Sequence, residues 1–147
     1  NSFNGNIKKA VQEYFYLERE MLKKANFSIM GHPDLIKMQN HKEKLFDENE
    51  FWYKKEIKIL AKEISRSGVC VEVNTGGLAR KKTNSPYPSY YFLEELKKYN
   101  VPLCLNSDCH NKEFLDYGFD ETIQELIKIG YKELSFFIAG KINHYKI

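Results

Sequence analysis

Hydrophobic positions along the 147-residue chain follow two periodicities. Apolar residues at intervals of three and four predict helices over 6–26, 51–67, 89–100 and 121–130. Short apolar runs rich in β-branched residues predict strands at 27–31, 69–74, 101–106 and 134–139. Between them, 35–49 is expected to hold a short helix and a loop, 75–88 a long loop, and 141–147 a tail.

The order of these segments predicts the fold class. Strands that alternate with helices of ten or more residues are typical of parallel βα units joined by right-handed crossovers. The chain is therefore predicted to be an α/β protein, and a ligand site is expected at the carboxyl ends of the strands. No internal repeat and no domain boundary is evident in the sequence.

Composition narrows the classes of partner. A net charge of +3, with 29% charged residues of both signs, gives no basis for a nucleic-acid or membrane partner. No apolar run approaches membrane-spanning length. The cysteines Cys70, Cys104 and Cys109 lack zinc-finger spacing, and two of them fall in predicted buried strands. We therefore expect a cytoplasmic protein that contains no disulfide scaffold.

Polar residues stand at the ends of three consecutive predicted strands: His32 and Asp34, Glu72 and Asn74, and Asp108 and His110. Parallel strands bring these ends to one rim, and side chains two apart on an extended chain share a side. Imidazole and carboxylate ligands without thiolate fit Zn, Mn or Fe. Two interpretations stay open, a divalent-metal site and hydrogen-bonded turns at strand ends.

The other histidines and the neighbouring cysteine are given structural interpretations. His41 and His144 lie in polar stretches and are expected on the surface. Cys109 is expected to point away from Asp108 and His110 and to pack rather than bind a metal.

The loop after the second strand places two glycines and three basic residues just past a strand end. Arg80 can make a bidentate contact with a phosphate, whereas a lysine supplies only a point charge. An anion-binding loop is one interpretation. A solvated basic loop is the other, and we favour it for Lys81 and Lys82. The spacing of the glycines does not match a P-loop.

Three blocks of this sequence stand in a recognisable order: GHPDLIK at 31–37, EVNTGGLAR at 72–80 with YPS at 87–89, and NSDCH at 106–110. Together they resemble the histidinol phosphatases of the PHP family. The resemblance covers about 27–131. It implies a distorted (β/α)7 PHP-type barrel with a multinuclear metal centre at its mouth. It also implies hydrolysis of L-histidinol phosphate in histidine biosynthesis.

Residue roles carried over by position follow from the same resemblance. It implies divalent metal ions (Zn, Mn or Fe), more than one in the intact enzyme, with metal ligands at His32, Asp108 and His110. Asp108 and His110 are also the expected catalytic residues. The substrate-binding residues it implies are Arg80, near the phosphate, with Lys37, Glu72 and Asn74.

The sequence also departs from the family pattern. The early His-x-His motif of the family is absent, and the chain has four histidines in total. We therefore expect 1–147 to be the C-terminal portion of a single PHP-type domain, inactive alone because it holds too few ligands. Two other functions stay open: another PHP-type phosphoesterase acting on a nucleotide or sugar phosphate, and a degenerate non-catalytic module.

Overall fold

The computed structural model describes residues 3–24, 26–40, 42 and 44–147. Along this part of the chain, the helices are α1 (Ile7–Lys24), α2 (Phe51–Ser67), α3 (Gly76–Ala79), α4 (Tyr90–Lys97) and α5 (Phe119–Ile129). The strands are β1 (Ile29–Met30), β2 (Cys70–Asn74), β3 (Leu103–Asn106), β4 (Glu133–Ile138) and β5 (Lys141–Lys146). Two 3₁₀ helices occupy Leu35–Gln39 and Lys112–Phe114.

Helix α2 follows the bounds that its apolar periodicity predicts. Its stripe, including Ile57, Leu60 and Ile64, is fully buried. The helix ends at Gly68, whose φ of +74° is a left-handed conformation that glycine adopts at little steric cost. Helices α1 and α4 pack on either side of α2, so these three helices form one layer of the core.

Strands β1, β2 and β3 form a parallel sheet in that order, which confirms the predicted α/β class. Val71 and Val73 of β2 belong to the hydrophobic core that the helices share. Because successive side chains on a strand point to opposite faces, Cys70, Glu72 and Asn74 face away from that core. One face of the sheet is thus apolar and the other carries polar groups.

The C-terminal topology differs from the prediction. The expected tail 141–147 forms β5, which pairs antiparallel with β4 in a separate two-stranded sheet. Ala139 and Gly140 connect them with φ values of +50° and +76°, the signature of a two-residue hairpin turn. Strand β4 packs beside β3 without joining its sheet, and the described residues contain no closed barrel.

Two local predictions also need correction. Helix α5 begins after Gly118 rather than after Asp120, which lies in its first turn. The predicted long loop 75–88 contains the one-turn helix α3. Within the described residues, no helix has the length and apolar character needed to cross a bilayer.

A buried ion pair fastens two loops at the carboxyl end of the sheet. The side chains of Asp34 and Lys37 are 0% and 1% exposed, with Lys37 Nζ 3.6 Å from Asp34 Oδ2. Lys37 Nζ also donates to Ser85 Oγ and to the Pro86 carbonyl, both at 2.8 Å. The backbone N–H of Ser89, the residue that caps α4, donates to Asp34 Oδ2 at 2.8 Å. The pair therefore ties the segment after β1 to the loop before α4.

Burial has a larger effect on the pKa of the Asp34 carboxyl than the charge of Lys37 has. Desolvation raises the pKa of Asp34, and the charge of Lys37 opposes that rise without cancelling it. A carboxyl whose folded-state pKa is raised binds more protons in the folded state than in the unfolded state. The contribution of Asp34 to stability therefore falls as pH rises from its ordinary pKa of 3.8 through the raised value.

Replacing Lys37 by methionine should leave the Asp34 carboxylate buried without its cation. We expect Lys37→Met to lower the free energy of unfolding by about 3–5 kcal/mol at pH 7, measured by urea denaturation. Lys55→Met, at an exposed position of α2, is the matched control and should change it by less than about 0.5 kcal/mol.

Adding Asp34→Asn to Lys37→Met should recover much of that loss, because the double variant buries no unpaired charge. Equal destabilisation by Lys37→Met and Lys55→Met would show that the pair does not hold these loops.

Candidate functional site

The carboxylate of Glu72 joins the ends of three strands. Its Oε2 accepts hydrogen bonds from the backbone N–H of His32 at 3.1 Å and from Asn74 Nδ2 at 3.3 Å. Its Oε1 accepts from Asn106 Nδ2 at 2.9 Å. His32 follows β1, Asn74 ends β2 and Asn106 ends β3. The predicted meeting of the three strand ends is therefore present, and we call these four residues with Asp108 and His110 the rim.

Asp108 lies between a guanidinium and an imidazole. Arg80 Nη2 is 2.9 Å from Asp108 Oδ2, and Arg80 Nη1 donates to the Asp108 carbonyl at 3.0 Å. His110 Nε2 is 3.5 Å from Asp108 Oδ1. The Asn74 side chain, which donates to Glu72, is also close enough to Asp108 to help lower the pKa of its carboxyl. Two of the three strand ends thus contribute to one polar site.

The pKa of Asp108 records this environment. Burial raises it, but the hydrogen bond and charge of Arg80, with smaller contributions from Asn74 and His110, outweigh burial and leave the pKa below 3.8. Asp108 is therefore a carboxylate at neutral pH, with one oxygen toward Arg80 and the other toward His110.

Backbone strain coincides with the rim. His32 and Asp108 have φ values of +27° and +46°, in the left-handed region that side chains other than glycine rarely adopt. Such strain often marks functional sites, where the surrounding structure holds the residue in place. Asp108 and His110 do meet, as predicted, but through this left-handed turn and not through the extended chain that the prediction assumed.

The two glycines of α3 are required by packing. A Cβ on Gly76 would lie 2.6 Å from Arg80 Nη2 and 2.9 Å from the Ser107 carbonyl, and one on Gly77 would lie 2.5 Å from the Tyr87 ring. The Gly76 N–H is already bonded to Asn74 Oδ1 at 2.9 Å. Gly76 therefore leaves room for Arg80 to approach Asp108, and Gly77 leaves room for the Tyr87 ring. The engaged Gly76 N–H does not support the anion-binding interpretation of this loop, whereas the position of Arg80 does.

The other predicted residues lie as follows. Lys81 and Lys82 are exposed, as the solvated-loop interpretation expects. The Lys37 ammonium is buried against Asp34 and the loop carbonyl, so its placement gives no support to the predicted substrate contact, which stays a prediction. His144 is exposed on β5, in agreement with the prediction, and His41 lies outside the described residues.

Sequence reasoning missed Glu18 of α1. Burial raises its pKa, while a Tyr14 hydrogen bond and the charge of the nearby His32 oppose the rise. Its Oε2 is buried and has no hydrogen-bond partner among the described residues. Val11, Tyr14, Phe15 and Glu18 follow helical spacing, so the signal was a carboxylate on the stripe that faces the core. Glu18 therefore places a buried carboxyl near His32.

The rim fits one side of a divalent-metal site. Asp108 Oδ1 and His110 Nε2 are of the ligand types that Zn, Mn and Fe accept, and they are close enough to share an ion. Within the described residues, no group of three or more His, Cys, Asp or Glu side chains converges on one point. A cavity of about 110 Å³ adjoins the pair; it is lined by Ala79, Arg80, Ser107, Cys109, His110, Asn111 and Phe114.

Comparison with known proteins assigns no family. No protein-family model matches the chain, and no curated protein matches it significantly.

Replacing Arg80 by methionine should raise the pKa of Asp108, because burial would then be opposed only by Asn74 and His110. In the wild-type chain, a depressed pKa contributes stability above pH 3.8 that is lost as pH falls through the folded-state value. Arg80→Met should remove that acid-dependent loss. NMR titration of the Asp108 carboxyl carbon measures the pKa directly.

Lys81→Met is the control, since it removes a neighbouring exposed charge and leaves the Arg80 contacts in place. An unchanged Asp108 titration in Arg80→Met would contradict the assignment of Arg80 as the group that lowers this pKa.

Proposed function

We propose that this chain belongs to a metal-dependent phosphomonoester hydrolase, with L-histidinol phosphate as substrate and L-histidinol and phosphate as products, in cytoplasmic histidine biosynthesis. The observation that carries the proposal is the position of Asp108 between His110 and Arg80 at the carboxyl ends of parallel strands. One side of this carboxylate faces a metal ligand and the other a phosphate-binding group. The resemblance of the three sequence blocks supplies the substrate.

In this proposal, different residues of the chain hold the metal ion and position the site. Asp108 and His110 would hold a divalent ion. His32, the other ligand that the resemblance implies, does not converge with them among the described residues. Because Asp108 is ionised at neutral pH, it needs no deprotonation before it binds a cation. A bound divalent ion supplies Lewis acidity at the phosphoryl group. Glu72 orients the amides of Asn74 and Asn106 and so positions the rim.

Arg80 would bind the phosphate. Its guanidinium can donate two parallel hydrogen bonds to phosphoryl oxygens and can neutralise the charge that develops on them. In the structure that guanidinium neutralises Asp108. A cation at Asp108 would replace Arg80 as the partner of the carboxylate and leave Arg80 for the substrate.

We also propose that further strands and ligands of a (β/α)7 PHP-type barrel come from outside these 147 residues. Two observations support this. Strand β1 pairs only with β2 in the described part of the chain, which leaves an open sheet edge. The Asp108–His110 pair is also smaller than a metal site needs, since a catalytic zinc commonly has three protein ligands.

A degenerate, non-catalytic module is the second candidate. It is favoured by the two-ligand group and by the Arg80–Asp108 ion pair, which satisfies both charges without metal or substrate.

Phosphate release from L-histidinol phosphate with Mn²⁺ or Zn²⁺ tests the proposal. The samples are the complete product of the gene, its Asp108→Asn variant, and the 147-residue chain alone. We expect release by the complete product, a loss of about 100-fold or more in Asp108→Asn, and none from the chain alone. Asp116→Asn, an exposed carboxylate in the same segment, is the matched control and should retain activity.

Other results would redirect or refute the proposal. Release only from a nucleotide or sugar phosphate would keep the site and change the substrate. Absence of release from every phosphoester, with metal present, would favour the non-catalytic module. Full activity of the isolated chain would refute the need for further ligands.

A further inference from the structure

The cavity of about 110 Å³ beside the rim is continuous with the candidate site. Ala79 and Arg80, at the end of α3, line one part of it, and the segment after β3 lines the rest, including His110 and Phe114. Arg80 and His110 are the same two side chains that contact Asp108. A molecule held at Arg80 can therefore extend from the Asp108 site into this cavity.

The lining combines apolar and neutral polar groups around these two site residues. Ala79, Cys109 and Phe114 supply a methyl group, a thiol and an aromatic ring, and Ser107 and Asn111 supply a hydroxyl and an amide. Among the described residues that line the cavity, none is acidic. The cavity is therefore suited to an uncharged group that has a mostly apolar surface and few hydrogen-bonding atoms.

Local structure places Phe114 at the cavity. Asn111 caps the 3₁₀ helix Lys112–Phe114, where its Oδ1 accepts from the N–H of Glu113 at 3.4 Å. The Phe114 N–H donates to the Asn111 carbonyl at 3.0 Å. The Phe114 ring packs edge-on against the Tyr117 ring, with the ring centroids 5.6 Å apart. These contacts lie within one short segment, which positions the Phe114 ring beside the cavity.

The volume of the cavity limits the size of the group that fits. An apolar cavity of roughly 150 Å³ accepts one benzene molecule. A cavity of about 110 Å³ therefore suits a five-membered ring, whereas a purine joined to a ribose exceeds it. Size alone thus favours a compact ring over the nucleoside part of a nucleotide.

We propose that this cavity binds the organic group of the phosphomonoester as a compact heteroaromatic ring, and that Phe114 is a specificity-determining residue for that ring. The inference rests on the proposed function, because Arg80 must hold the phosphate. The edge of the guanidinium would donate to phosphoryl oxygens, while its planar face can stack on an aromatic ring. Phe114 adds a second aromatic surface, which the ring can contact edge-on or in an offset stack.

The same lining discriminates against a sugar phosphate. The nitrogen atoms of a ring such as imidazole need hydrogen bonds, and Ser107 and Asn111 offer partners for them. A sugar carries several hydroxyls, and those that face Ala79, Cys109 and Phe114 would lose their hydrogen bonds to water without a good replacement. The cavity therefore separates ring-containing substrates from the sugar phosphates that remain the alternative.

Steady-state kinetics of the complete product of the gene test the proposal on two phosphomonoesters, L-histidinol phosphate and the ringless glycerol 3-phosphate. Phe114→Ala should lower kcat/KM for L-histidinol phosphate by about 10- to 100-fold, because the ring loses one wall of its site. It should leave kcat/KM for glycerol 3-phosphate and the inhibition constant of inorganic phosphate unchanged, since neither molecule carries a ring. Leu115→Ala is the matched control. Leu115 is 66% exposed and does not line the cavity, so kcat/KM should stay the same for both substrates.

Ala79→Leu is a second variant, which adds bulk to the cavity from α3. It should also reduce kcat/KM for L-histidinol phosphate and leave the inhibition constant of inorganic phosphate unchanged. An unchanged kcat/KM for L-histidinol phosphate in Phe114→Ala would overturn the proposal. So would an equal loss on both substrates, or weaker inhibition by inorganic phosphate, because each indicates a structural role for Phe114.

Binding of L-histidinol, which carries the ring and no phosphate, separates this inference from the proposed function. Saturation-transfer NMR should show the ring protons of L-histidinol in contact with the wild-type product and with Leu115→Ala, and not with Phe114→Ala. That result supports the ring site even where no phosphoester is hydrolysed. Failure of the wild-type product to bind the ring would overturn the ring site even where L-histidinol phosphate is hydrolysed.

Discussion

The rim depends on the buried pair of Asp34 and Lys37. Two charges removed from water need one another and hydrogen bonds from their surroundings. Lys37 donates to the loop at 85–86, and Asp34 Oδ2 accepts from the N–H of Ser89. The buried Asp34 Oδ1 has no hydrogen-bond partner among the described residues, so the carboxylate depends on Lys37 and Ser89. The same loop forms a bridge to the end of β2, with Asn74 N donating to the Tyr87 carbonyl at 2.7 Å and the reverse bond at 2.9 Å. The charge pair therefore supports the end of β2 at Asn74 through this loop, in addition to the pairing of β2 with β3.

The two carboxylates of the rim, Glu72 and Asp108, are held by different kinds of interaction. Glu72 accepts hydrogen bonds from neutral amides and joins three strand ends, so it fixes geometry. Asp108 is held by the Arg80 cation at a strained backbone position, so its charge is balanced by one cationic side chain. Under the proposed function, Asp108 would exchange the Arg80 guanidinium for a metal ion, and Arg80 would then bind the phosphate. Glu72, by contrast, is suited to hold its neighbours still.

Hydrophobic periodicity predicted most accurately the helices and strands that have one apolar and one polar face. The stripe of α2 and the alternation of β2 gave nearly correct bounds, and parallel pairing then brought the strand ends together as expected. The hairpin of β4 and β5 was missed because β5 is mostly exposed and has no apolar face for a pattern to detect. The burial of Lys37 was missed for a different reason. A lysine in a short polar segment is expected on the surface, and the sequence does not show that its partner Asp34 is buried.

Paramagnetic broadening by Mn²⁺ gives the most direct test of metal binding at the rim. Amide resonances of the complete product of the gene, which supplies the further ligands, would be followed as Mn²⁺ is added, beside the same titration of Asp108→Asn. Broadening centred on Asp108 and His110, and absent in the variant, is the expected result. Broadening centred on other acidic residues, or unchanged by Asp108→Asn, would contradict a metal site at the ends of these strands.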